Sequence, residues 1–260
     1  MNTENQSKIN QLLSTQPLGT IMQTFWLKEK GYSLELQKRY RKSRWLEAIG
    51  KGALKRVNDK VTYEGAIYAL QKQSELTIHP GGRTALSLLG LGHFIDFTSS
   101  NVILFGSKNE NLPTWFRQYD WGTKVQYNKT AFLPTEKFLQ EKEFKNFSIK
   151  ISNAPRAIME CLYLVPGKQD LIECFHFMES MNNVRPSVVH ELLESCESIK
   201  VKRLFLYLAD KVNHDWFKKL EIDKIDLGKG KRSIIRNGIY NSKYQITVPK
   251  ELEESDARGI

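Results

Sequence analysis

The chain has 260 residues, of which 40% are apolar and 26% charged, and its net charge is +10. This composition is typical of a globular protein with one or two domains, and it excludes an intrinsically disordered chain. No apolar run approaches the roughly 20 residues of a membrane-spanning helix, so we expect no membrane association. A polar N-terminus without a secretory signal and three dispersed cysteines predict a reduced, cytoplasmic protein.

The first clear pattern predicts a helix, a tight turn and a second helix. Apolar residues at helical spacing over 21–26 favour a short helix, and Gly31 ends it. Ser33 offers a side-chain oxygen to cap the next helix, which continues through Lys42. A further short helix over 8–13 precedes this pair.

Two strands follow at 45–49 and 53–57, and the glycine-containing turn between them predicts a hairpin.

Residues 28–60 carry eleven Lys and Arg against four acids, a local net charge of +7. Cationic surfaces bind DNA by displacing the counterions of its phosphates. The order helix, turn, basic helix and hairpin therefore favours a winged helix-turn-helix on duplex DNA. The alternative is a solvated basic helix on an ordinary globular domain.

The side chains expected to contact DNA lie on the basic helix and on the hairpin. Gln37 and Arg41 are spaced to look out from one side of the helix, and Lys38 and Lys42 form the adjacent row. We expect these four to enter or line the major groove, where base edges are read, while the hairpin cations hold flanking phosphates. The full predicted contact set is Ser33, Gln37, Lys38, Arg39, Arg41, Lys42, Arg44, Lys51, Lys55 and Arg56.

Beyond the hairpin, Thr62 would cap another helix that completes the winged unit near Ser74. A glycine-rich break and a short helix follow, and then the pattern changes to short strands, predicted over 94–97, 101–105, 124–133 and 147–151, with a helical turn after Pro113. Helical periodicity resumes at Pro155 and predicts helices over 155–165, 171–181, 186–196 and 201–211. Strand-like and turn-like pieces alternate over 215–249.

The predicted fold class is α+β: a winged helix-turn-helix is followed by a mixed α/β C-terminal domain with a helical bundle portion. We expect a DNA-binding domain over 1–77 and a C-terminal domain over 78–260, with the boundary between 75 and 93.

The chain also resembles the AbiEi-type antitoxins of bacterial type IV toxin–antitoxin systems. The matching pieces occur in order between Gly19 and Pro249: residues 26–31, 40–46, 50–53, 62–70, 79–86, 224–232 and 244–249. The resemblance implies a repressor that binds inverted repeats in the promoter of its own operon. It also implies that the C-terminal domain counters a nucleotidyltransferase-like toxin, without a stable complex being assured. Double-stranded DNA and this toxin are the expected partners.

A second basic surface is predicted near the C-terminal end of the chain, where cations outnumber acids nine to three over 218–250. Its central residues are Lys229, Lys231, Arg232 and Arg236. They would contact phosphates or an acidic partner, or they would simply keep the protein soluble. The surrounding glycines lack the spacing of a phosphate-binding loop.

Other constellations have weaker functional interpretations. His190 and Glu194 could share a metal, but no second histidine completes the set, so we expect no metal, no cofactor and no catalytic residue. The glycine-rich helix start at 79–83 could bind an anion or form a structural joint. The aromatic residues over 115–121 could stack on bases or belong to a core.

Two alternatives come from other functional classes. One is an enzyme that acts on nucleic acid and is docked by the winged module, and the other is a protein-interaction scaffold.

Overall fold

The computed structural model, which describes residues 7–92 and 101–254, has a mixed α+β fold, as predicted. Two compact units make up the chain. Unit 1 contains Met1–His79, Phe105–Lys129 and Glu141–Lys150, and unit 2 contains Pro80–Leu104, Thr130–Gln140 and Ile151–Ile260. No helix in the described residues is both long and apolar enough to cross a bilayer.

The first part of unit 1 has helices α1 (Lys8–Thr15), α2 (Thr24–Glu29), α3 (Leu34–Lys42) and α4 (Tyr63–Gln73), and strands β1 (Met22–Gln23), β2 (Leu46–Gly50) and β3 (Ala53–Arg56). The predicted helix order and the hairpin are confirmed. The predicted start of α2 was too early, because Met22 pairs with Leu54 in a three-stranded antiparallel sheet of order β1-β3-β2.

The core of this part forms where α1, α2, α3 and the small sheet meet. Its members are Leu12, Met22, Leu27, Tyr32, Tyr40, Leu46 and Leu54, all buried. Each fully buried side chain of this size contributes about 1.5–3 kcal/mol relative to exposure. The core therefore holds α3 by its inner face and leaves the outer face to solvent.

The middle of the chain contains β4 (His79–Pro80), α5 (Gly82–Leu88), β5 (Asn101–Gly106), α6 (Thr114–Gln118), β6 (Lys124–Lys129), β7 (Leu139–Glu143) and β8 (Ser148–Ser152). One sheet has the order β4-β5-β6, and β7 pairs with β8. The strand predicted over 94–97 lies outside the described residues, and the sequence pattern did not reveal β7.

Unit 2 is dominated by helices α7 (Ala154–Leu164), α8 (Leu171–Glu179), α9 (Pro186–Ser195) and α10 (Ile199–Val212). Helix α7 packs against each of the other three, which confirms the predicted helical bundle portion. Short 3₁₀ turns over Phe217–Lys219 and Ile222–Lys224 lead to the hairpin β9 (Ile239–Asn241) and β10 (Ile246–Val248), and α11 (Lys250–Glu254) follows.

A candidate nucleic-acid interface

Local contacts fix the amino-terminal end of α3. Gly31 has a positive φ of 84°, a conformation that favours glycine, and so it ends the turn after α2. The Ser33 hydroxyl accepts a hydrogen bond from the backbone N–H of Leu36 at 3.2 Å, which satisfies a donor of the first turn. The predicted helix stop and the predicted helix cap are both confirmed.

The inner face of α3 holds a buried polar side chain. Gln37 is only 3% exposed, and its Nε2 donates to the backbone carbonyls of Thr24 at 3.1 Å and Tyr32 at 2.8 Å. Gln37 therefore lies on the same side of α3 as Arg41, as predicted, but the expectation that its side chain looks out is wrong. Its amide instead ties α3 to α2 and to the turn between them.

The outer face of α3 presents positive charge and an apolar side chain. The exposed cations are Lys38, Arg39, Arg41 and Lys42. Leu34, which the sequence pattern did not single out, is 58% exposed and lies one turn before Lys38. Arg44 is also exposed, just past the helix end, with a left-handed φ of 57°. Cations in the last turn interact favourably with the helix dipole, so they suit this end of α3.

The hairpin β2–β3 with its Gly50-Lys51-Gly52 turn forms a flap that we call the wing. The Gly52 carbonyl accepts a hydrogen bond from the Thr24 N–H at 2.9 Å, which attaches the tip to the start of α2. Trp115 of α6 packs against the other glycine: a Cβ added to Gly50 would lie 3.1 Å from the Trp115 Cβ. Lys51 at the tip is exposed.

A groove of about 1090 Å³, the α3–wing groove, is lined by the outer face of α3 and by the wing. Lys38, Arg41 and Lys42 line it from α3, and Lys51 lines it from the wing. Among the described residues that line it, Glu47 is the one acid, and Lys55 pairs with it at 2.7 Å. The groove is therefore cationic, which suits a polyanion.

Two wing cations are engaged inside the protein. Lys55 is half-buried, and besides its ion pair with Glu47 it donates to the Asp59 carbonyl at 2.8 Å. Arg56 is also half-buried, and its Nη2 donates to the carbonyls of Leu13 and Gln16 at the end of α1. Burial lowers the pKa of the Arg56 guanidinium, and nearby Asp59 partly offsets that effect. The end of α1 therefore engages one nitrogen of the Arg56 guanidinium, and a phosphate contact by Arg56 stays a prediction.

In unit 2 the predicted second basic surface is an exposed loop held from the inside. Its cations Lys229, Lys231, Arg232 and Arg236 are all exposed. Arg203 of α10, which is 2% exposed, donates to the carbonyls of Leu227, Gly228, Gly230 and Gln245 at 2.7–3.2 Å. Lys231 lies over the Tyr240 ring, with Nζ 5.0 Å from its centroid. The bonds from Arg203 therefore hold the loop backbone, while the four cations of the loop face solvent.

The remaining constellations have structural roles. The carboxylate of Glu160, itself fully buried, accepts the backbone N–H of Gly82 at 2.9 Å, so an internal anion occupies the start of α5. His190 Nε2 lies 3.3 Å from the Glu194 carboxylate, and within the described residues no three His, Cys, Asp or Glu are grouped to hold a metal. Trp115 and Phe116 are buried, which confirms their interpretation as core.

Two family models match the chain. The model described as "Transcriptional regulator, AbiEi antitoxin N-terminal domain" matches residues 5–97, and the model described as "Transcriptional regulator, AbiEi antitoxin, Type IV TA system" matches residues 99–249. No curated protein matches the chain. Among solved structures, the chain is similar to the crystal structure of RV2827C protein from Mycobacterium tuberculosis, with a TM-score of 0.59 and 11% sequence identity. The match covers 96% of this chain and 93% of that one, and at this identity it shows the fold alone.

Proposed function

Because the chain belongs to the AbiEi antitoxin family, transcriptional regulators of type IV toxin–antitoxin systems, we propose that it represses its own operon by binding inverted repeats in the promoter. In this proposal α2, α3 and the wing act as a winged helix-turn-helix. The observation that carries it is the α3–wing groove, where three cations of α3 face the same space as Lys51 of the wing.

The dimensions of the elements suit a duplex. The major groove of B-DNA is about 12 Å wide and admits an α-helix, so α3 would enter it with its outer face toward the bases. Lys38, Arg41 and Lys42 would contact base edges and the phosphates that flank them. Lys51 would reach a phosphate beside the groove, and each neutralised phosphate would release counterions and add affinity without sequence preference.

The internal contacts of α3 support this role. A helix that reads DNA loses less entropy on binding when its orientation is already fixed. Gln37 fixes α3 to α2 through two carbonyls, and Tyr40 fixes it to the core. The outer cations therefore project from a rigid support, as a preformed interface requires.

For the antitoxin activity, we assign the neutralisation of a nucleotidyltransferase-like toxin to the C-terminal part of the chain. The loop that carries Lys229, Lys231 and Arg232 is its most cationic exposed segment, and an acidic surface or a nucleic acid are the two chemistries that it suits. A variant that lacks repression but still rescues cells from the toxin would separate the two activities.

A gel-shift assay with the full chain and its own promoter tests the proposal. Replacing Lys38→Glu and Arg41→Glu together should reduce affinity about a thousandfold or more, because attraction to phosphate becomes repulsion. Lys108→Glu with Lys145→Glu is the matched control, since it changes the net charge equally at exposed positions that do not line the groove. Equal affinities of the two double variants would overturn the proposed interface.

A further inference from the structure

Leu34 is the first residue of α3, and among the described residues it is the most exposed large apolar side chain, at 58%. It does not pack into the core of unit 1, whose members on α3 are Tyr40 and, at its margin, Leu36. An exposed leucine at a helix start has no local structural task, because the Ser33 side chain already caps the helix.

The position of Leu34 is defined by its neighbours in the groove. Leu34 lines the α3–wing groove together with Lys38 and Arg41, and residues three and four apart share one helix face. Gln37 belongs to the same turn, but its amide nitrogen is already bonded to two carbonyls of the protein. The outward side chains available to a base near the start of α3 are therefore Leu34 and the cations that follow it.

The chemistry of the major groove then identifies the partner of Leu34. When a recognition helix lies in this groove, the residues near its N-terminus contact base edges. Base edges there are polar donors and acceptors, except for the C5-methyl group of thymine, which is the apolar feature that the groove displays. We propose that Leu34 packs against the C5-methyl of a thymine in each operator half-site. This inference rests on the proposed function, because it names a base that the same interface would read.

The charges around Leu34 argue against a second copy of this chain as the partner at this site. Lys38, Arg41 and Lys42 lie in the same groove, so a second copy of this chain docked face to face there would bring like charges together. A duplex places its phosphates against these cations and a thymine methyl against the leucine. A DNA duplex would thus provide partners both for the cations of the groove and for the apolar side chain of Leu34.

Uracil interference on the protein's own promoter tests the proposal, because uracil is thymine without the methyl group. Replacing one particular thymine in each half-site by uracil should lower the affinity of the wild-type chain about fourfold. This is the loss expected when one buried carbon is removed. Leu34→Ala should bind the thymine promoter more weakly by a similar or larger factor, and should no longer distinguish uracil from thymine at that position.

Two further variants complete the experiment. Leu18→Ala removes another exposed leucine, 49% exposed and outside the groove, and should keep the uracil interference of the wild type. Leu34→Gln keeps a long helix-forming side chain without a branched apolar tip, and should lose the interference while the circular dichroism spectrum stays unchanged. Interference that persists in both Leu34 variants would overturn the inference.

Phosphate-ethylation interference on the same fragments separates this inference from the proposed function. If phosphate ethylation interferes with wild-type binding but uracil substitution interferes nowhere, the thymine contact is refuted and the proposed DNA binding stands. Wild-type protein that binds no promoter fragment would refute both. Uracil sites that disappear in the Leu34 variants while the ethylation sites remain would establish the contact.

Discussion

Helices α3 and α10 both carry runs of basic residues, and the protein uses the two runs in opposite ways. The cations of α3 are exposed, and three of them, Lys38, Arg41 and Lys42, line the α3–wing groove. In α10, Lys202 and Arg203 are 5% and 2% exposed, and both donate to backbone carbonyls of the loop over 226–230. One run is available to a ligand, and the other is engaged within the protein.

The difference lies in what surrounds each helix. A buried cation is tolerated only when hydrogen bonds replace its water, and the glycine-containing loop over 226–230 supplies carbonyls for Arg203. Burial, followed in importance by nearby Arg232, lowers the pKa of Arg203. Over residues 7–92 and 101–254, no such loop covers the cations of α3, which are exposed and therefore solvated by water. Positive charge counted along a sequence is therefore not the same quantity as positive charge on a surface.

The largest effect that would sharpen this comparison is expected at Arg203. Arg203→Met should lower the free energy of unfolding by about 3–5 kcal/mol, because buried carbonyls lose a charged donor. Arg39→Met on α3 is the matched control and should change it by less than about 0.5 kcal/mol, since Arg39 is exposed. Urea denaturation measures both variants, and similar values would contradict the contrast between the helices.

An intermediate effect is expected at Gln37, the polar residue that α3 uses internally. Gln37→Met keeps the volume but removes the donors to the Thr24 and Tyr32 carbonyls, which should cost about 1–3 kcal/mol of stability. Affinity for promoter DNA, corrected for the folded fraction, should fall by no more than about fivefold, because Gln37 acts on binding only by fixing α3 and Tyr40 still fixes that helix to the core. A large loss of affinity with unchanged stability would instead make Gln37 a base reader.

The smallest effect is expected at the tip of the wing. Lys51→Ala should weaken binding to specific and unrelated duplexes by the same factor, as a phosphate contact does. The slope of log affinity against log salt should become shallower by about 1. Lys60→Ala, an exposed lysine outside the groove, should leave the slope unchanged. A loss confined to one DNA sequence would contradict the phosphate assignment.

Local signals made much of this region predictable from the sequence. The Ser33 cap, the Gly31 turn and the hairpin each depend on residues within a few positions, and all three were predicted correctly. The internal engagement of Gln37 and Arg56 was not predictable, because the carbonyls that accept their hydrogen bonds belong to other elements. Helical spacing placed Gln37 and Arg41 on one side, where both line the α3–wing groove, but it could not reveal that Gln37 is buried and bonded within the protein.

Other features depended on contacts distant in sequence. Strand β1 was read as helix because Ile21 and Met22 fit a helical pattern, and the pairing partner Leu54 lies beyond two helices. The exposure of Leu34 was not predicted, because an apolar residue at a helix start is normally interpreted as core. Its i, i+4 spacing from Lys38 places it on the cationic face and was the signal that could have indicated this exposure.

The packing of Gly50 against Trp115 has a consequence for the design of truncated forms of this regulator. The wing packs against a tryptophan contributed by a much later stretch of chain, and a Cβ added to Gly50 would lie only 3.1 Å from the Trp115 Cβ. A truncated protein that stops soon after α4 would keep α3 and the hydrogen bond between Thr24 and Gly52, but it would lose the tryptophan and so hold the wing less firmly. Shortened versions should therefore bind DNA more weakly through the wing, and a full-length protein is the appropriate material for mapping an operator.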